Sequence, residues 1–158
     1  MAKKTQKSFK IIKLKMMKIN TKVEHSNIIY LLDMEKNTAS IIGNNSAKGN
    51  IIIPKSIKYE SNEYIIKSIS KLAFVSTEIE SVEFSSDSEI QTIEGEVFSN
   101  SFINKFSIPS SLTELKEEWC FGTSKLVTIN VSPENQYYKN YGDNLVIGRS
   151  SLDQENFD

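Results

Sequence analysis

Few side chains in this sequence could act chemically, and they are scattered. His25 is the single histidine and Cys120 the single cysteine. A metal site or a general-base dyad needs several such groups together, and no Cys, His or Asp cluster surrounds His25 in sequence. It reads as a loop histidine. A reactive thiol needs a neighbouring cation or base to become a thiolate. Cys120 instead falls at an apolar position of the pattern described below, so it reads as an inert core thiol. Glu78/Glu80 and Glu117/Glu118 pair carboxylates, the residue type of acid–base catalysis, but both pairs read as solvated faces. No G-x-S-x-G, phosphate loop or zinc spacing occurs. The chain therefore reads as non-catalytic, with no cofactor and no metal. Two sequons, Asn44-Asn45-Ser46 and Asn130-Val131-Ser132, matter only on a secretory route.

What remains is recognition, and its candidate residues follow from a repeat. Between residues 65 and 131 the chain makes nearly the same statement three times. A leading apolar pair recurs as Ile66-x-x-Ile69, Ile90-x-x-Ile93 and Leu112-x-x-Leu115. Five residues on stand Phe74, Phe98 and Cys120. A trailing group recurs as Ile79-x-x-Val82-x-Phe84, Ile103-x-x-Phe106-x-Ile108 and Leu126-x-x-Ile129-x-Val131. The trailing groups end at 84, 108 and 131, periods of 24 and 23 residues. This is the length and core spacing of a leucine-rich repeat. One such unit cannot bury its apolar face alone, so the units must stack into a common core.

Stacking places the outward residues. With Val82 and Phe84 inward, strand alternation turns Ser81, Glu83 and Ser85 outward. The next strand presents Lys105, Ser107 and Pro109, and the last Thr128, Asn130 and Ser132. Ser81, Lys105 and Thr128 then form one row, and Glu83, Ser107 and Asn130 the next. This exposed sheet face is the candidate binding surface. It carries no aromatic residue, so binding by these side chains alone should be weak.

The ends of the chain differ from the repeat. Residues 1–24 form a basic leader assigned outside the core. Residues 1–22 hold eight lysines and no acid, which leaves 11 basic against 20 acidic residues and a net charge of −9 for the rest. The leader has no unbroken apolar run of signal-peptide or membrane-span length. Its lysines could make weak contact with an anionic membrane. Nucleic acid is disfavoured, because only Phe9 could stack on a base. Lys13 and Lys15 alternate with Ile12, Leu14 and Met16, as in a half-buried strand. A free leader and an N-terminal cap strand therefore both remain open.

Residues 25–64 read as an N-terminal hairpin and a degenerate first repeat. Ile28 to Leu32 and Ala39 to Ile42 flank a turn. Gly43 to Asn50 has loop composition, and Ile51-Ile52-Ile53-Pro54 is a strand closed by proline. Residues 65–131 are the repeats. Residues 132–158 read as a hairpin-like cap, with Gly142-Asp143-Asn144 at its turn, and a polar tail. The single cysteine excludes an internal disulfide framework, and isoleucine-rich segments favour strands. The expected fold is one leucine-rich-repeat solenoid, mostly β with short helical or irregular convex turns, and parallel stacked strands flanked by hairpin-like ends.

Ile53-Pro54-Lys55-Ser56-Ile57, Ile66-Lys67-Ser68-Ile69-Ser70-Lys71-Leu72-Ala73-Phe74 and Ile108-Pro109-Ser110-Ser111-Leu112 resemble the repeat of BspA-like leucine-rich-repeat surface antigens. Ser70 and Glu94 stand where that repeat usually has glycine, and Trp119-Cys120 replaces its Ala-Phe pair. The resemblance implies a curved solenoid that binds a protein or host-surface ligand, without catalysis. It implies a cell-surface location. The absence of a recognisable signal or membrane segment keeps a cytoplasmic scaffold as the alternative. Oligomeric state is not legible.

Overall fold

The computed structural model describes residues 20–141 and 145–149. They form strands and turns only. In chain order the strands are β1 (Asn20–His25), β2 (Ile28–Asp33), β3 (Thr38–Asn44), β4 (Lys48–Ile53), β5 (Ser56–Tyr59), β6 (Asn62–Ile69), β7 (Glu78–Phe84), β8 (Thr92–Ile93), β9 (Lys105–Ile108), β10 (Glu114–Leu115), β11 (Thr128–Val131), β12 (Tyr138–Tyr141) and β13 (Leu145–Gly148). The leading groups of the repeat feed a first sheet, in the order β1-β2-β3-β6-β8-β10 with β5 paired to β6. The trailing groups feed a second sheet, in the order β11-β9-β7-β4. The chain alternates between the sheets and so winds a solenoid of stacked two-strand coils.

The second sheet is parallel throughout, with Val82 opposite Phe106 and Phe106 opposite Ile129. This is the stacking order that the period predicts. The reason is visible in the side chains. Ile66, Ile69, Ile79, Val82, Ile90, Ile93, Ile103, Phe106, Ile108 and Leu112 are all buried between the sheets. Phe74 stacks on Phe98 at 5.4 Å between ring centroids. Phe98 in turn meets Phe106 edge-on at 5.6 Å. Equal spacing in sequence thus becomes contact between equivalent residues of neighbouring coils.

The convex turns contain no helix. Each places two residues in the left-handed region, on either side of the Phe74 position: Leu72 and Ser76, then Glu96 and Asn100, then Glu118 and Gly122. A left-handed non-glycine residue costs about 1–2 kcal/mol. Hydrogen bonds between successive turns offset this. Phe74 and Ser76 amides donate to Val97 and Ser99 carbonyls, and Phe98 and Asn100 amides to Trp119 and Phe121 carbonyls, at 2.8–2.9 Å. At Gly122 the left-handed backbone (φ 72°) suits glycine, and a Cβ there would displace the Asn100 side chain.

Three expectations change. Cys120 is only half-buried, unlike Phe74 and Phe98. Trp119 fills the end of the aromatic stack instead, 4.6 Å from Phe106 and 6.1 Å from Phe98. No coil among the described residues lies beyond this turn to cover the Cys120 slot. Burial still pushes its thiol up, which opposes thiolate formation. Second, Gly43 to Asn50 is mostly strand, and only residues 45–47 connect β3 to β4. Third, Asn20 to Glu24, assigned to the leader, pair with β2 in the first sheet, Val23 opposite Tyr30. The assignment of residues 1–19 falls outside the described residues.

Side-chain amides finish the stack where coils are missing. The first coil lacks a convex turn, and the Asn44 amide donates to the Ala73 carbonyl (2.9 Å) that such a turn would have bonded. At the other end Asn135 is buried and fully used. It donates to the carbonyls of Pro109 (2.6 Å) and Leu112 (3.0 Å) and accepts the amides of Tyr137 and Tyr138 (both 2.8 Å). Asn140 pairs with the open edge of β11 like a strand residue, accepting from the Val131 amide (2.9 Å) and donating to the Ile129 carbonyl (2.6 Å).

Two substitutions test this account in urea titrations. Phe98→Ala leaves a cavity with neighbours on both sides and should lower stability by about 3–5 kcal/mol. Asn135→Leu keeps the heavy-atom count but leaves the Leu112 carbonyl and the Tyr137 and Tyr138 amides without their partner, and should cost at least about 2 kcal/mol. A midpoint equal to that of the parent chain in either case refutes the corresponding role.

Candidate functional site

The outer face of the second sheet is built from aligned rows. Asn50 lies opposite Ser81, Ser81 opposite Lys105, and Lys105 opposite Thr128. Two residues further along each strand come Ile52 opposite Glu83, and Ser107 opposite Asn130. Inward residues hold these rows in register, because Val82, Phe106 and Ile129 occupy the intervening positions. Within the face, Lys105 Nζ sits 2.7 Å from Glu83 Oε1. That pair is well exposed, so it orients the two side chains more than it stabilises the fold.

Ser81 differs from its expected place. It is only 8% exposed and donates to Asn50 Oδ1 at 2.7 Å. The register between β4 and β7 shifts here: Gly49 faces Ile79, Asn50 faces Ser81, and Glu80 has no counterpart. This is a β-bulge, which bends the strand and re-aims the residues around it. Ser81 thus floors a shallow depression shared with Asn50, Glu83 and Lys105.

At the C-terminal ends of the strands the face runs into a groove of about 420 Å³. Ser85, Ser107, Asn130 and Ser132, four of the candidate residues, line it together with Phe84, Pro109 and Glu134. Its chemistry is hydroxyl and amide groups set between proline and aromatic walls. Ser85 Oγ is buried without a hydrogen-bond partner among the described residues.

At the N-terminal ends lies a feature the rows of small polar residues did not reveal. Phe102 is 46% exposed, and Lys125 Nζ stands 4.3 Å from its ring centroid. Lys48, Glu78, Glu80 and Asn104 surround this ring in a cleft of about 540 Å³. Val127 and Ile52 add exposed aliphatic surface to the same face, 62% and 68% accessible. The signal for Phe102 was present in sequence. Glu78, Phe102 and Lys125 are spaced by the same 24 and 23 residues as the strands, so one outward slot carries Glu, Phe and Lys in turn. The strand β4 was legible from Ile51-Ile52-Ile53-Pro54 as part of a degenerate first repeat, but its coil does not keep the 23–24-residue spacing.

The opposite surface is stitched by ion pairs. Glu89 lies 2.6 Å from Lys67 Nζ and 2.9 Å from Lys55 Nζ. The bond from Lys67, then that from Lys55, holds its carboxyl down to about 2. Among the described residues no group of three or more side chains could hold a metal ion, and no helix is long and apolar enough to cross a membrane. Glu89 supplies a pH test. A depressed carboxylate stabilises the fold above its unfolded value of 4.5 and loses that contribution as pH falls through about 2. The urea midpoint of the parent should exceed that of Glu89→Gln at neutral pH, and the gap should close between these two values. A gap that widens on acidification rejects the pairing.

Stacked parallel coils of this length, with apolar ladders inside and aligned polar rows outside, define a leucine-rich-repeat solenoid. A family model described as a BspA type leucine rich repeat region, in six copies, matches residues 31–142. The chain belongs to that family, and the four coils from β3 to β11 lie within the matched span. Among solved structures it is similar to a leucine-rich repeat protein from Bacteroides capillosus, at 16% identity and a TM-score of 0.45, covering 70% of this chain and 98% of that one. It is also similar to the pneumococcal vaccine antigen PcpA, at 14% identity and a TM-score of 0.42, covering 84% and 55%. A leucine-rich repeat protein from Eubacterium ventriosum matches at 14% identity and a TM-score of 0.42, covering 79% and 47%. No curated protein matches the chain.

Proposed function

We propose that this chain is a non-catalytic adhesion module that binds a protein or another host-surface ligand through the outer face of the second sheet. Ser81, Glu83, Ser85, Lys105, Ser107, Thr128, Asn130 and Ser132 form the polar part of that face. The observation that carries the reading is Phe102. The same slot in the flanking coils holds Glu78 and Lys125, so folding does not require an aromatic ring there. An exposed ring that lines a ligand-sized cleft is the composition of an interaction anchor, with a polar rim around it. Family membership supports recognition as the use of the fold.

The test is saturable binding of the labelled chain to cultured animal cells. Phe102→Ala should weaken binding at least about tenfold, roughly 1.4 kcal/mol, and leave the unfolding free energy within about 0.5 kcal/mol of the parent. Ser107→Arg with Asn130→Arg, placed in the middle rows, should also abolish binding. Unaltered binding by both variants removes this face from the function.

A further inference from the structure

The groove at the C-terminal ends of β7, β9 and β11 has one kind of chemistry. Ser85, Ser107, Asn130 and Ser132 line it, and their hydroxyl and amide groups each donate and accept hydrogen bonds. Ser107 and Asn130 stand side by side on neighbouring strands, and neither side chain has a hydrogen-bond partner among the described residues. Ser85 Oγ is buried in the wall of the groove and has none either. A buried hydroxyl without a partner is costly, and a ligand hydroxyl in the groove would supply one.

Charge and geometry narrow the ligand. Among the described residues Glu134 is the one charged side chain in the lining. It repels phosphate, sulfate and carboxylate groups, and no cation beside it could hold one. A cationic ligand would engage Glu134 and leave the hydroxyls unused. Strand addition by a peptide needs an open ladder of main-chain groups. β7 and β9 are paired on both sides, and Asn140 takes the free edge of β11 at Ile129 and Val131. Phe84, Pro109 and Pro133 supply apolar walls. A neutral sugar has the matching surface, with hydroxyls around its edge and C–H groups across its ring face. The space of about 420 Å³ lies within the ~300–1,000 Å³ of small-ligand sites.

We propose that this groove binds a neutral saccharide unit. The inference rests on the reading of this sheet face as the binding surface, and it names the ligand chemistry at one end of it. Ser107 and Asn130 bond neighbouring ring hydroxyls, and Glu134 accepts from a further one. The C–H face of the ring lies against Pro109 and Phe84. A single unit held by so few groups binds with a roughly millimolar Kd.

Amide chemical shifts of the purified full chain test this, titrated with the methyl glycosides of glucose, galactose, mannose and N-acetylglucosamine. At least one glycoside should shift the Ser85, Ser107 and Asn130 amides saturably. N-acetylneuraminic acid, which carries a carboxylate, should not. Glu134 and Asn130 are exposed, so the fold should tolerate their replacement. Glu134→Ala should weaken the glycoside at least about tenfold, and Asn130→Ala at least about threefold, as for hydrogen bonds to a charged and to a neutral group. Phe102→Ala should leave its affinity unchanged, because that ring lies at the other end of the strands. The proposal is overturned if none of the four glycosides gives a saturable shift, or if the response centres on other residues. An equal response to N-acetylneuraminic acid, or an affinity indifferent to Glu134→Ala, overturns it as well. The effect of Phe102→Ala on cell binding decides the reading of the face separately, so the two failures are distinguishable.

Discussion

Among the described residues, the parallel strands of the coils and the convex turns take their hydrogen-bond partners from the adjacent coil. The Phe74 amide is satisfied by the Val97 carbonyl, and the Phe98 amide by that of Trp119. A buried backbone group without a partner is expensive, so no coil is complete by itself. The same holds for the side chains, since Phe74 is covered by Phe98 and Phe98 by Phe106 and Trp119. Stacking is therefore the condition of folding here, and it also explains the tolerance of left-handed turn residues. Leu72, Glu96 and Glu118 occupy an unfavourable backbone region in turns held by the ladder to their neighbours.

A structure held together by neighbours has a difficulty wherever neighbours run out. The chain meets it with amide side chains that imitate backbone. Asn44, Asn135 and Asn140 each offer a donor and an acceptor on one planar group, as a peptide does. Asn44 stands in for a missing turn, and Asn140 for a strand beside β11. Tyr138 adds its hydroxyl, accepting the Leu115 amide at 2.7 Å. These contacts join the terminal hairpin to the last coil.

The regularity that stabilises the inside also organises the outside. Since inward residues fix the register, each outward position is repeated at a strand spacing of about 4.8 Å across the sheet. Selection can then alter one slot without disturbing the core. The slot shared by Glu78, Phe102 and Lys125 shows this, because an exposed ring replaces a charge while Ile79, Ile103 and Leu126 behind it keep their apolar character. The bulge at Glu80 works in the opposite way. It draws Ser81 into a hydrogen bond with Asn50 and lowers its exposure, so a residue in the middle of the face becomes its floor.

The sequence by itself determined the period, the inward set and the rows of the face. Those properties are local and repeated, so spacings of two and of 23–24 residues carry them. Val82 facing Phe106 and Lys105 facing Thr128 follow from nothing more. The tertiary structure alone decided how the repetition is interrupted. It placed Trp119 rather than Cys120 at the end of the aromatic stack, inserted Glu80 as a bulge, and brought Asn50 and Ile52 onto the face from a coil that departs from the 23–24-residue period. It also assigned Asn44 and Asn135 to backbone groups distant in sequence. At these positions the partner lies across the fold and has no counterpart one period away, so no spacing in the chain could announce it.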